Sequence, residues 1–183
     1  MIKIEDAVAH FQRGNLAEAR RLALKLVKAG QRMGDALQLL GYIEGRLGNL
    51  PEAARQLAQA VKFAPQSVES WYYLGMARQQ LGQLADAAQA FEQAARLAPD
   101  FFEAAHDLGL ALHAQGLFAL AEPWFAKAVG LRPGSLPALL NRGINFSKLR
   151  RVADELACYE QALKVDDRDE RLLENLGLAL VQQ

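Results

Sequence analysis

Histidine, cysteine and carboxylate side chains are where chemistry would reside, and this chain holds few of them at a useful spacing. His106 and His113 lie seven residues apart, on one helix face but two turns from each other. Zinc sites built on a single helix favour closer spacing, and neither a thiolate nor a third ligand is evident nearby. His10 stands apart from both. Cys158 is the single cysteine, so it forms no internal disulfide, and its helical context suits a small core residue rather than a nucleophile. Asp166, Asp167, Asp169 and Glu170 gather at a helix start, and Lys148, Arg150 and Arg151 at a helix end. The helix dipole favours each sign at those places, which accounts for both clusters without a ligand. No phosphate-cradling loop, dinucleotide fingerprint or Gly-x-Ser-x-Gly elbow occurs. The expectation is no metal, no cofactor and no catalytic residue: not an enzyme.

Composition narrows the class further. The chain of 183 residues carries 21 basic and 21 acidic side chains spread along its length, which gives no polyanion-binding surface and no nucleic-acid partner. It contains no Thr, eight Val and four Ile, so the β-branched residues that sheets favour are scarce and an all-α protein is expected. Apolar runs fall short of the roughly 20 residues a membrane span needs. The opening stretch has early acidic residues and no long apolar core, unlike a secretory leader. A cytoplasmic protein without a membrane partner is expected.

The elements that must carry any site are set by a period. Stepping 34 residues from Gly82 finds Gly48, Gly14, Gly116 and then Arg150; stepping from Gly75 finds Gly41, Gly109, Gly143 and Gly177; Pro99 finds Pro65 and Pro133. Three columns in one register, without an insertion, are the mark of a repeat architecture. Each unit holds two amphipathic stretches with apolar residues three and four apart, separated by the turn glycine. The division is a single array of units at about 1–33 (degenerate), 34–67, 68–101, 102–135, 136–169, and a half unit at 170–183. Asp100 is expected to cap the helix that follows, with Glu103 completing a capping box, and Ser135 to cap the next. Pro123 lies well inside a second helix, so that helix starts late, near Ala119, or kinks. The last stretch is apolar on most sides, which suits a chain cut from a longer protein or an end that docks, self-association included.

Trp71, Leu74, Gly75, Ala87, Phe91, Ala94 and Pro99 resemble the signature of the tetratricopeptide repeat family, and the resemblance extends in register over the whole chain. It implies a right-handed α-α superhelix of about five helix-turn-helix repeats plus a final single helix. First helices would line a concave groove that binds an extended peptide or a helix of a partner protein. Residues carried to that groove by the resemblance are Gln38, Tyr42, Tyr72, Tyr73, Met76, Gln79, Gln80, His106, Asp107, Leu110, His113, Asn141, Ile144 and Lys148. Amides among them can donate to and accept from a peptide backbone, and Tyr and Met bury apolar area. Tyr42, Met76, Leu110 and Ile144 can equally be read as core.

Family members that clasp chaperone tails use Lys, Asn and Arg in these columns, where this chain has Gln38, Tyr42, Tyr73, His106 and Leu110. Arrays attached to sugar-transferring enzymes carry an Asn ladder, matched here by Asn141 and Asn175, in part by Asp107, and not by Leu39 or Tyr73. The function expected is a protein–protein interaction module with a scaffold or adaptor role. The alternative is the N-terminal recognition arm of a larger enzyme such as a glycosyl- or sulfotransferase.

Overall fold

The computed structural model describes residues 3–181, and every regular element among them is a helix. In chain order they are α1 (Ile4–Gln12), α2 (Leu16–Lys28), α3 (Met33–Arg46), α4 (Leu50–Phe63), α5 (Val68–Gln80), α6 (Leu84–Leu97), α7 (Phe102–Ala114), α8 (Phe118–Leu131), α9 (Leu136–Lys148), α10 (Val152–Leu163) and α11 (Glu170–Val181). They fall into two compact units, one reaching to Ala98 and one starting at Pro99.

In the first unit, α1 packs on α2, α3 on α4 and α5 on α6, while α2 and α4 lean on the helix that follows. The first helices of the pairs, α1, α3 and α5, touch one another in a row. Its core joins Ile4, Ala7, Ala19, Leu26 and Ile43, and then Leu57, Leu74 and Ala90. The second unit repeats the scheme, with α7 on α8, α9 on α10, and a row of α7, α9 and α11. Its core joins Ala105, Leu139, Tyr159, Leu172 and Ala179. Leu173, Leu178 and Leu180 of α11 are exposed, at 47%, 57% and 54%.

Close approach within the pairs α3/α4, α5/α6, α7/α8 and α9/α10 rests on one glycine column, which is Ala7 in α1. A Cβ on Gly75 would lie 2.6 Å from the Phe91 ring, and one on Gly109 would lie 2.8 Å from Phe125. Leu57 fills the same place against Gly41, and Tyr159 against Gly143. The large side chain of the second helix thus seats directly on the glycine of the first, at a distance no side chain there would permit.

The turn column behaves as the period requires. Gly48, Gly82 and Gly116 have φ of 79°, 74° and 76°, and Arg150, their counterpart, is held at φ 56°. The register overrides the side chain here, since a non-glycine residue is strained in the left-handed region. Ser135 accepts from the Ala138 amide at 3.4 Å, and Ser67, two units earlier in the same column, accepts from the Ser70 amide at 3.2 Å. The expected cap at Asp100 does not form. Phe101 holds the N-cap of α7 without a side-chain cap bond, because the 34-residue register places the cap column at 67, 101 and 135. α8 begins in register at Phe118 rather than late, with Pro123 inside it and exposed.

Glu155 is the misfit of the second unit. Its column is Ala53, Ala87 and Ala121, and the carboxylate is drawn into the same buried place, 3% exposed, with Oε2 lacking a hydrogen-bond partner. Glu44 of the first unit, equally buried, is matched by Arg20 at 2.6 Å and Asn49 at 3.1 Å.

Candidate functional site

Along the row of the first unit, aromatic rings from successive helices come into line. Phe11 of α1 lies 6.4 Å from Tyr42 of α3, Tyr42 lies 4.3 Å from Tyr73 of α5, and Tyr73 lies 5.7 Å from Tyr72. Tyr72 in turn meets Phe91 of α6 at 5.7 Å. Such tilted and edge-on contacts are favourable beyond the area they bury. Tyr73 is 42% exposed, while Phe91 is fully buried. The run therefore leads from solvent into the core.

Two clefts flank it, and Phe11 and Tyr42 belong to both. One, of about 560 Å³, is bounded by Ile4, Val8, Gln38 and Leu39, with Glu5, Arg32 and Asp35 at its edge. Arg32 and Asp35 there neutralise each other at 2.6 Å. The other, of about 390 Å³, is bounded by Gly45, Arg46, Leu57, Tyr73, Met76 and Gln80. Arg46 is its single charged lining residue, with its guanidinium 5.4 Å from the centre of the Phe11 ring.

Gln38 holds Tyr42 in place. Its Nε2 donates to the Tyr42 hydroxyl at 2.5 Å, and its Oε1 accepts from Ser70 at 2.9 Å and Ser67 at 3.2 Å. Both ends of the amide are engaged within the chain, so Gln38 positions a ring rather than offering itself to a peptide backbone. Burial raises the Tyr42 phenol above its ordinary pKa against the opposing hydrogen bond from Gln38, so it stays protonated at neutral pH.

The second unit brings its candidates together differently. Asn141 Nδ2 donates to His106 Nε2 at 3.0 Å, while His106 Nδ1 faces Asp107 at 3.4 Å. His106 also stacks on Phe102, with rings 5.6 Å apart. His113 Nδ1 lies 2.9 Å from Oδ1 of Asn145, whose Nδ2 donates to the Phe118 carbonyl at 3.0 Å. That leaves Oδ1 as the acceptor and puts the proton on His113 Nδ1. Of the remaining candidates, Leu110, Ile144 and Gln79 are half-buried, and Lys148 is exposed. Leu39 and Leu140, which share columns with groove candidates, are core residues at 5% and 3% exposure.

Among the described residues, no cluster of three or more His, Cys, Asp or Glu side chains is placed to hold a metal ion. Burial pushes the Cys158 thiol up, which disfavours the reactive thiolate. No helix among them is long and apolar enough to cross a membrane.

A tetratricopeptide repeat profile matches residues 5–68, 39–79 and 72–135. The chain belongs to the tetratricopeptide repeat family. Solved structures agree on the fold. YrrB, described as a tetratricopeptide repeat protein with an unusual peptide-binding site, superposes with a TM-score of 0.86 at 20% identity, covering 93% of this chain and 88% of its own. A MamA crystal structure gives 0.80 at 22% identity, covering 88% and 95%. MamA from Desulfovibrio magneticus RS-1 gives 0.76 at 21% identity, covering 82% and 85%. At these identities the likeness is one of fold. A search of curated proteins finds no sequence relative. As a tetratricopeptide repeat chain the protein is, at that general level, a protein–protein interaction module of a generally non-catalytic kind.

Two residues of this tetratricopeptide repeat chain escape a reading of its signature columns. Phe11 comes from the degenerate first unit, yet it sits 34 residues before Gly45 and 68 before Gln79, in a column already assigned to the groove. Extending that column by one more step would have found it. Asn145 is fully buried in a column otherwise filled by Ile43, Ala77 and Ala111. A polar residue in an apolar column is the signal.

Proposed function

We propose that this tetratricopeptide repeat chain binds a segment of a partner protein along the row formed by α1, α3 and α5, in a scaffold or adaptor role and without chemistry of its own. The observation that carries this is the line of rings from Phe11 through Tyr42 to Tyr73, open to solvent at Tyr73 and flanked by clefts of about 560 and 390 Å³. Both volumes lie in the range that ligand sites occupy. Aromatic side chains are also the residues that most often dominate binding energy at protein interfaces. A curved, preformed wall lowers the ordering cost on the receptor side of association.

The test is affinity capture of partners on the immobilised full chain, identification by mass spectrometry, and calorimetric titration of the partner found. Tyr73→Ala should weaken that partner by about tenfold or more, as loss of an interface aromatic does. Thermal stability should fall by no more than about 1 kcal/mol, because Tyr73 is 42% exposed and its ring is only partly packed, against Tyr42 and Tyr72. A partner whose affinity ignores Tyr73→Ala and Met76→Glu alike would remove the reading.

A further inference from the structure

The chemistry of the partner segment can be read from the smaller cleft. Its floor and walls are apolar or aromatic: Leu57, Met76, Tyr42 and Tyr73. Tyr42 and Tyr73 offer ring faces and edges, and Met adapts its shape to an incoming side chain. At about 390 Å³ the space is at the small end of ligand pockets, enough for an anchoring side chain and the chain on either side of it.

Arg46 supplies the only charge on that lining, and it is exposed. Two other arginines of the first unit are matched, Arg20 by Glu44 and Arg32 by Asp35, each at 2.6 Å, and Arg78 of α5 donates to the Asp86 carbonyl at 3.3 Å. Arg46 has no such partner: among the described residues no carboxylate lies within ion-pairing distance of it, and its guanidinium lies over the face of Phe11. That contact leaves the guanidinium on the cleft lining without a carboxylate partner. A planar guanidinium prefers a carboxylate, with which it forms paired charge-assisted hydrogen bonds.

We propose that the cleft lined by Tyr42, Tyr73 and Met76 takes a bulky apolar side chain of a partner protein, and that a neighbouring Asp or Glu of the same segment pairs with Arg46. This rests on the groove reading above and adds the class of sequence recognised: an acidic segment with an apolar anchor. A basic segment is disfavoured at the same place by like charge.

A random-peptide library displayed against the immobilised full chain tests it, with parallel selections against Arg46→Glu, Arg46→Gln and Tyr73→Ala, each checked for native helicity. The expected selection on the unaltered chain is a large apolar residue with Asp or Glu within a few positions. Arg46→Glu should lose the acidic preference and recover Lys or Arg in its place. A synthetic selected peptide should weaken by about tenfold when its acid is changed to the amide, and that difference should vanish against Arg46→Gln. Peptides that need Tyr73 but show no acidic preference, or an acidic preference unchanged in Arg46→Glu, overturn the proposal and leave the groove reading standing. Selections in which no peptide depends on Tyr73 remove both.

Discussion

His106 stands 34 residues after Tyr72, and Asn141 stands 34 after Asp107 and 68 after Tyr73, so the two rows of first helices draw on the same columns. In the first unit those columns bring rings side by side, and the polar group among them, Gln38, is used to hold one ring in place. In the second, neighbouring helices are joined by side-chain hydrogen bonds, His106 to Asn141 and His113 to Asn145. An aromatic ring can leave a face to solvent and still be well packed at its edge. A buried amide cannot, because each unmade hydrogen bond carries its full desolvation cost. The same backbone frame therefore gives one row whose rings reach solvent at Tyr73 and one row whose polar groups are largely satisfied by each other.

The strongest way to break this contrast is Asn145→Ala. It leaves the His113 donor and the Phe118 carbonyl, both on half-buried residues, without their partner, and should cost about 1–3 kcal/mol in urea unfolding. Tyr73→Ala, its counterpart in the open row, should cost less than about 1 kcal/mol. Equal losses would show that the two rows do not differ as described. Glu155→Ala should act in the opposite sense. It removes a buried carboxylate whose Oε2 has no partner and restores the alanine found at Ala53 and Ala87, at the cost of the bond to the Tyr159 phenol, so the unfolding midpoint should rise, by about 1 kcal/mol in stability. A loss instead would mean that the bond between Glu155 and the Tyr159 phenol outweighs the cost of burying the carboxylate.

Smaller again is Arg150→Gly, which relieves a left-handed backbone at φ 56° but gives the unfolded chain more freedom. A net gain of about 0.5–1 kcal/mol is expected, read as a shift in melting temperature. Least visible near neutral pH is the tyrosine linkage. Burial raises the phenols of Tyr42 and, with the help of Glu155, of Tyr159. A raised folded-state pKa means the native state keeps protons that the unfolded chain releases. This stabilisation is whole below about pH 10 and is lost as pH climbs through the folded-state pKa. Melting curves taken in alkali should therefore fall less for Tyr42→Phe or Tyr159→Phe than for the unaltered chain, with each variant removing one unit's share.

The period made the helices legible, because Gly75 on Phe91 and Gly143 on Tyr159 need a fixed spacing to meet at all. It also made the groove columns legible as positions. What it could not convey is how each column is used. Whether Gln38 turns outward or binds Ser67, Ser70 and Tyr42 depends on side chains 29, 32 and four residues away. Asp100 looked like a cap from its local spacing, and lost that role because the array's register puts Phe101 there. Phe11 was hidden by the weakness of its own unit, although its contacts are made with a strong one.

Three of the four tyrosines, Tyr42, Tyr72 and Tyr73, belong to the single line of rings in the first unit, and Trp71 adjoins them in the chain. Their transition moments sit close enough to couple, so the near-ultraviolet circular dichroism of the whole molecule is weighted toward this one wall. The protein thus carries its own optical gauge: occupancy of either cleft would disturb Tyr42 and change the spectrum, with no label attached.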